Sequence, residues 1–235
     1  MPLNRERDRE NDRDQTGGFD SSSLPHECCG SGKFNAKRNG RIQIHHDDPL
    51  WVGEPSDADN DFIPNDVSYW DNQWQLSFGG VDDPEHRNGY WPAEFKPNEN
   101  PFYVALPFGE FESESGNEFR ADALSVPWYR AGLSPLLKNH WVVINRGDRT
   151  CYAQWEDVGP FEVDDFAFVF GSAKRPRNTF DAKAGLDVSP ACWQYLRMDD
   201  NAETAWRFVD AADVPPGPWT EIVTTSGNNR PSGVA

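Results

Sequence analysis

The sequence predicts a mainly β fold, a small closed barrel that carries one short helix. From residue 101 onward, apolar runs of strand length alternate with turn-forming residues. Only one stretch in this region carries a helix-start signal, at Ser189-Pro190. Short strands separated by turns, with a single helix among them, are typical of a small barrel.

Three strands are indicated first, at 102–107, 141–145 and 150–156. The last two flank Arg146-Gly147-Asp148-Arg149, a polar turn with a glycine, and therefore predict an antiparallel hairpin. Further apolar runs predict strands or strand ends at 166–170, 185–188 and 206–209. Ser189 has the N-cap form and Pro190 suits the first helical position, so we expect a helix from 190 to 196.

The rest of the chain is organised around this barrel at 101–222. Residues 1–23 alternate acidic and basic side chains and predict a disordered charged arm. Residues 24–100 are dense in turn-forming residues and predict a loop-rich extension packed on the barrel, with short strands at 40–45 and 50–53. Residues 223–235 are expected to form a flexible tail.

Composition excludes several function classes. The net charge is −17, from 39 acidic and 22 basic residues, which disfavours nucleic acid and anionic membrane surfaces as partners. No apolar run reaches the roughly 18 residues of a membrane span, so no membrane insertion is expected. Glycine-rich phosphate loops and nucleophile elbows are absent from the sequence, and we expect no cofactor. The 10 tryptophans serve either core packing or sugar stacking.

Two aspartates end strand-like runs at turns, Asp157 before Val158-Gly159-Pro160 and Asp187 before Val188-Ser189-Pro190. Two carboxylates that meet in a cleft are the minimum equipment for cleaving a glycosidic bond. Each also has a structural interpretation. Asp157 suits a turn residue that binds backbone amides, and Asp187 suits a brace for the helix start.

The segments 156–161 (EDVGPF) and 185–191 (GLDVSPA) resemble the double-psi β-barrel of RlpA-like proteins, expansins, barwins and family 45 endoglucanases. The resemblance implies a six-stranded double-psi barrel and a catalytic role for Asp157. Two histidines of those families are missing. None precedes the Leu106-Pro107 segment, and Leu186 stands where expansins and family 45 enzymes carry one.

Further candidate site residues surround the aspartates in sequence. Tyr152, Trp155 and Trp193 are expected as walls or platforms for sugar rings. Asp165, together with Asp164, either lies over the same cleft or belongs to a solvated loop. His45 and His46 are adjacent on a predicted strand and point to opposite faces, so we expect no metal site there.

The four cysteines are informative about the redox conditions of the compartment in which the protein resides. If the two motifs converge, Cys151 and Cys192 come close enough for a disulfide, which implies an oxidising compartment; the alternative is two buried thiols. Cys28 and Cys29 are adjacent and are expected to bridge elsewhere, to stay free or, with His26, to bind metal.

These features lead to the hypothesis of a secreted or cell-envelope protein that cleaves a polysaccharide or peptidoglycan. One alternative is an expansin-like protein that binds glycans without cutting them. Another is an extracellular structural protein that self-associates. No apolar leader follows Met1, so no signal peptide is visible; either a leader has been removed or export uses another route.

Overall fold

The computed structural model describes residues 41–44 (backbone only), 50–56, 60, 64–113, 116, 118–179, 183–199 and 202–227. The chain divides into two units, 1–35 and 36–235, and every described residue belongs to the second. The predicted charged arm, Cys28, Cys29 and the His45-His46 pair lie outside the described residues.

The described part of the chain is mainly β, as the sequence predicts. One sheet contains six strands: β1 (Arg41–Ile44), β4 (Tyr103–Leu106), β5 (Trp141–Arg146), β6 (Arg149–Val158), β7 (Asp187–Val188) and β8 (Glu203–Val209). Their order is β1-β8-β5-β6-β4-β7. A small second sheet pairs β2 (Arg87–Asn88) with β3 (Trp91–Pro92). The edge strands β1 and β7 are not paired with each other within the described ranges, so the barrel closure expected from the sequence is not observed there.

The hairpin of β5 and β6 is confirmed, with Arg146 opposite Arg149 and Trp141 opposite Gln154. Gly147 takes a positive φ of 57° in the turn, a conformation that glycine adopts without steric cost. On its other side β5 pairs with β8, and β8 pairs with β1. The segment before residue 101, predicted as an extension on the barrel, therefore supplies a strand of the sheet itself.

Strand β4 lies between β6 and β7 and is the strand that positions the site. It is parallel to β6 and antiparallel to β7. All four of its residues are buried, because both faces of the strand are covered. Val104 and Leu106 face the main core, whereas Tyr103 and Ala105 face a smaller cluster on the other side.

That smaller cluster comes from the region before β4. It contains Leu50, Val52, Trp74 and Phe78, with the ring of Phe95 against it. Trp74 and Phe78 lie on helix α1 (Trp74–Phe78), where the spacing of four residues puts both on one helix face. The strand predicted at 50–53 is wrong: Val52 and Gly53 form a turn, and Gly53 has a φ of 77°.

The predicted helix is confirmed as α3 (Pro190–Leu196). Ser189 accepts a hydrogen bond from the Cys192 amide, and Pro190 occupies the first turn. The strand expected at 166–170 is instead a single helical turn, α2 (Phe166–Val169). Asp165 explains the difference, because its side chain accepts a hydrogen bond from the Phe168 amide and caps a helix start.

After β8 the chain returns to β6 and to the segments before β4 and β5 as what we call the C-terminal strap, residues 218–226. It starts with the 3₁₀ turn Pro218–Thr220 and is tied to the rest of the chain by side chains. Thr224, which the sequence analysis places in a flexible tail, is 3% exposed and exchanges hydrogen bonds with Gln154. The predicted boundary at 222 therefore cuts through an ordered segment.

Candidate functional site

The two predicted aspartates lie on either side of one residue of β4. Ala105 is paired in parallel register with Asp157 of β6 and in antiparallel register with Asp187 of β7. Residues in register project from the same face of a sheet, so both side chains leave the face to which Ala105 belongs. One intervening strand puts their Cα atoms about 10 Å apart, twice the spacing of neighbouring strands.

A β-bulge puts Asp157 on this face. In regular alternation Asp157 would share the face of Trp155, which lies in the main core. The register shifts by one residue between Val104 and Ala105, so that Trp155 pairs with Val104 and Asp157 with Ala105. The extra residue, Glu156, is not paired with any residue of β4. The bulge therefore moves Asp157 from the face of the main core to the face of Ala105, and bulges commonly redirect side chains in this way beside functional sites.

Asp187 reaches toward the turn that follows Asp157. A Cβ atom built on Gly159 would lie 3.5 Å from Asp187 Oδ2 and 3.8 Å from the Ala105 Cβ. Both distances are ordinary van der Waals contacts, so the Asp187 carboxylate lies beside the turn after β6. The two strand ends thus converge as the sequence predicts.

Asp157 also has a structural role. It is 8% exposed, and its Oδ1 accepts a hydrogen bond of 2.7 Å from the Tyr69 amide. The hydroxyl of Tyr69 in turn donates to Phe111 O (3.2 Å) and accepts from Phe111 N (2.9 Å). Asp157 therefore holds the segment around Tyr69 against the sheet. This structural role differs from the turn residue considered from the sequence, because the amide that Asp157 binds is 88 positions away.

The predicted sugar-contacting residues differ in their exposure. Trp155 is fully buried and donates its Nε1 hydrogen to Asp157 O at 2.7 Å, so it has no exposed face for a sugar ring. Tyr152 is half-buried, with its ring 5.0 Å from that of Trp219. Trp193 is half-buried on α3 and packs against the main core.

The acidic loop after β6 serves the fold. Asp165 is 1% exposed, and besides capping α2 it accepts a hydrogen bond of 2.7 Å from the Arg177 amide. The side chain of Arg177 pairs with Asp164 and Glu162. These three contacts hold residues 162–165 to the segment around Arg177. Substrate contact by Asp165 stays a prediction, and its buried oxygens argue for the structural role.

Cys151 and Cys192 are brought together but are not bonded. Both are buried free thiols, and their sulfur atoms are 3.7 Å apart. Burial is the main reason that the pKa of the Cys151 thiol is raised, and the neighbouring Cys192 adds to it. The proximity expected from the two motifs is therefore present, and the disulfide is not.

A buried charged group next to the site has no clear signal in the sequence. Glu156, the bulge residue, is 1% exposed, and its Oε2 accepts a hydrogen bond of 2.8 Å from Lys138 Nζ. Burial raises the pKa of Glu156 to about 7; Lys138 opposes this rise, and Glu99 and Asp157 add to it. The one hint in the sequence is that Glu156 is an acidic residue within a predicted strand of alternating apolar residues.

Within the described ranges, no cluster of three or more His, Cys, Asp and Glu side chains is placed to hold a metal ion. None of the helices in the described part of the chain is both long and apolar enough to cross a membrane. No protein-family model matches this chain, and a comparison with curated proteins gives no match either.

Proposed function

We propose that this protein acts on glycans, with Asp157 and Asp187 as a carboxylate pair that cleaves a glycosidic bond. The observation that carries the proposal is the placement of both aspartates beside Ala105, on one face of the sheet and at the ends of two strands. The proposed barrel is of the six-stranded double-psi type. The mixed pairing of β4 and the helix start after Asp187 support it.

The two carboxylates have different surroundings and therefore suit different roles. A backbone amide that donates to a carboxylate favours its ionised form, and Asp157 receives such a bond from Tyr69. Asp157 is accordingly the base or charge-stabilising group. Asp187 is more exposed than Asp157, so it can reach a bound glycan and is the group that protonates the leaving oxygen. This role confines activity to acidic pH, because an aspartate in contact with water holds a proton only there. The anomeric form of the first product reports whether a water or Asp157 itself attacks the sugar.

The test is release of soluble fragments from cellulose, xyloglucan, chitin and peptidoglycan, detected by mass spectrometry and reducing-end assay. Asp187→Asn should abolish release while leaving polymer pull-down unchanged, because the amide keeps the shape and loses the proton. Asp122→Asn, at an exposed position in the 3₁₀ turn Asp122–Ser125, is the matched control and should keep full activity. A wild type that releases no fragments from any of the polymers contradicts the proposal.

A second candidate is a protein that binds glycans without cutting them. The low exposure of Asp157 and its bond to the Tyr69 amide favour this candidate, because both are features of a structural carboxylate. The same experiment separates the two. Pull-down by a polymer without fragment release supports the binder, and loss of pull-down in Tyr152→Ala would then identify its half-buried ring as part of the surface.

A further inference from the structure

Beside the aspartate pair, a buried charged cluster joins four parts of the chain. Lys138 Nζ donates to Glu156 Oε2 (2.8 Å) and to Ser226 Oγ (2.9 Å). Ser226 Oγ then donates to Glu99 Oε1 at 2.6 Å. The charged members are all at least nine-tenths buried. The cluster thus connects β6 and the segments before β4 and β5 with the C-terminal strap.

This cluster holds more hydrogen-bond acceptors than donors. Glu99 Oε2, Glu156 Oε1 and Asn139 Oδ1 are buried side-chain oxygens without a hydrogen-bond partner in the described structure. Buried acceptors of this kind are costly, since water satisfied them before folding. A proton on either carboxyl group turns one acceptor into a donor and reduces the surplus.

The charges lead to the same conclusion. With both carboxylates ionised, two negative charges share one ammonium group inside the protein. An unbalanced charge away from water is unfavourable, so the closed arrangement prefers a proton on one carboxyl. The groups that face Glu156 are Lys138 and Glu99 from the preceding segments, Asp157 on its own strand, and Ser226 on the strap.

Trp219 lies in the main core and anchors the start of the strap. The part that can open is therefore residues 221–226, which polar side chains rather than strand pairing hold. Asn100 donates its amide N–H to Thr224 Oγ1 (2.9 Å) and its side-chain N–H to Trp219 O (3.1 Å). Gln154 donates to Thr224 O and accepts from Thr224 N, at 3.0 and 2.8 Å. Lifting the strap exposes the cluster to water without breaking any ladder of the sheet.

We propose that the C-terminal strap is a proton-controlled latch. It closes over Glu99, Lys138 and Glu156 when the cluster holds one proton on its two carboxyl groups, and it opens when that proton leaves to solvent. The latch lies next to Asp157 and does not depend on the proposed glycan chemistry.

Hydrogen–deuterium exchange of peptides from the strap tests the latch on the full chain, after correction for the intrinsic pH dependence of amide exchange. The closed form binds the proton more tightly than the open form, in which Glu156 returns to its ordinary pKa. Opening should therefore increase by up to roughly tenfold per pH unit between about pH 5 and about pH 7, and level off above that. Peptides from β5 should exchange far more slowly than peptides from the strap at every pH, which separates strap opening from global unfolding.

Two variants remove the titrating charge. Glu156→Gln leaves one negative charge for Lys138, so hydrogen exchange of the strap should stay slow and independent of pH across the same range. Glu99→Gln leaves the same charge balance and is the second case should Glu156→Gln fold poorly. Glu203→Gln, an exposed change at the start of β8, should behave as the wild type. Strap exchange in the wild type that is independent of pH overturns the proposal, as does an unchanged pH profile in a folded Glu156→Gln or Glu99→Gln variant.

Discussion

At the scale of single residues, Glu110 is a carboxylate whose role the structure defines fully. It is 0% exposed, and it accepts hydrogen bonds from Trp70 Nε1 (3.0 and 2.9 Å to its two oxygens) and from the Leu136 amide (3.0 Å). It therefore joins the segment before α1 to the loop before β5. The two N–H groups that donate to Glu110 are shielded from water.

Glu110→Ala should lower the free energy of unfolding by about 2–6 kcal/mol, because each of two buried donors loses its acceptor at a cost of 1–3 kcal/mol. Urea denaturation followed by far-UV circular dichroism measures the change. Glu112→Ala, two residues further on and exposed, is the matched control and should unfold at the wild-type midpoint. Equal midpoints for the two variants would show that Glu110 does not hold these segments together.

Residue-level predictions from the sequence succeeded where the signal was local and failed where burial decided the outcome. The Ser189 N-cap is visible in the sequence because cap and helix are adjacent. The sequence does not separate Trp155 as a core residue from Trp155 as a sugar platform, because either role suits an aromatic residue in a strand. The sequence likewise does not separate a structural role of Asp165 from a role in substrate contact, because its hydrogen-bond partners lie up to twelve residues away.

At the scale of elements, the segment around Tyr69 depends on the absence of a side chain at Gly109. A Cβ at that position would collide with the ring of Tyr69 and lie 2.6 Å from its hydroxyl oxygen. The Tyr69 ring also stacks on Phe111, with centroids 6.0 Å apart. The contact between the loop at Gly109 and the Tyr69 ring thus fixes the position from which the Tyr69 amide donates its hydrogen bond to Asp157.

Gly109→Ala should destabilise the protein by about 1–3 kcal/mol, the usual cost of added volume in a packed region. It should also raise amide exchange at Tyr69, because the displaced ring pulls its backbone from Asp157. Gly227→Ala serves as control, since a Cβ there has no atom within 4 Å. If Gly109→Ala has the same free energy of unfolding as the wild type, the Tyr69 ring moves aside without an energetic cost.

The thiol pair joins β6 to α3, and its oxidation is a second test at this scale. Cys151 and Cys192 are 41 positions apart, so a bridge between them should stabilise the fold by about 3–4 kcal/mol through loop closure. Because both thiols are buried, the protein should be reduced, unfolded and refolded with oxidised glutathione; peptides that carry the pair should then lose two hydrogens in mass, and the urea midpoint should rise. Cys192→Ser should show neither change. Two titratable thiols that persist at this pair after treatment would contradict the bridge.

The elements predicted best are those built from neighbouring residues, the β5–β6 hairpin and α3. The strand predicted at 166–170 is wrong because a short apolar run does not distinguish strand from helix. The bulge beside Ala105 carries no local signal, since it arises from the pairing of strands that are distant in sequence. For the same reason the convergence of Asp157 and Asp187 was predictable only through the resemblance of their motifs.

At the scale of the whole molecule, buried titratable groups set the pH dependence of stability. Burial raises the pKa of Asp82 from 3.8 to about 6, against the opposing charge of Arg87, and raises that of Glu156 from 4.5 to about 7. Both carboxyls bind protons more tightly in the folded protein, so their contribution is present at low pH and is lost as pH rises toward 7. Burial lowers the pKa of His140 from 6.5 to about 4. Below pH 6.5 this lowers the free energy of unfolding as the pH falls, which is opposite to the effect of the two carboxyls.

With two carboxyls against one imidazole, the urea midpoint should be higher near pH 5 than near pH 7.5. The net charge of −17 adds to this trend, since protonation reduces self-repulsion. Combining Asp82→Asn with Glu156→Gln should flatten the profile, and added salt should raise the midpoint mainly at the higher pH. A midpoint that climbs from pH 5 to pH 7.5 would mean that His140 or other groups dominate.

The position of the C-terminal strap also has a consequence for how the chain folds during synthesis. Ser226 contacts Glu99, and Thr224 contacts Asn100, across 127 and 124 positions of sequence. A ribosome therefore releases every strand of the sheet before it releases the segment that covers Glu156. Contacts this distant are slow to form because their loop entropy must be overcome first. In a nascent chain of this protein, every strand of the sheet is thus available for pairing before the segment that shields the charged cluster from water leaves the ribosome.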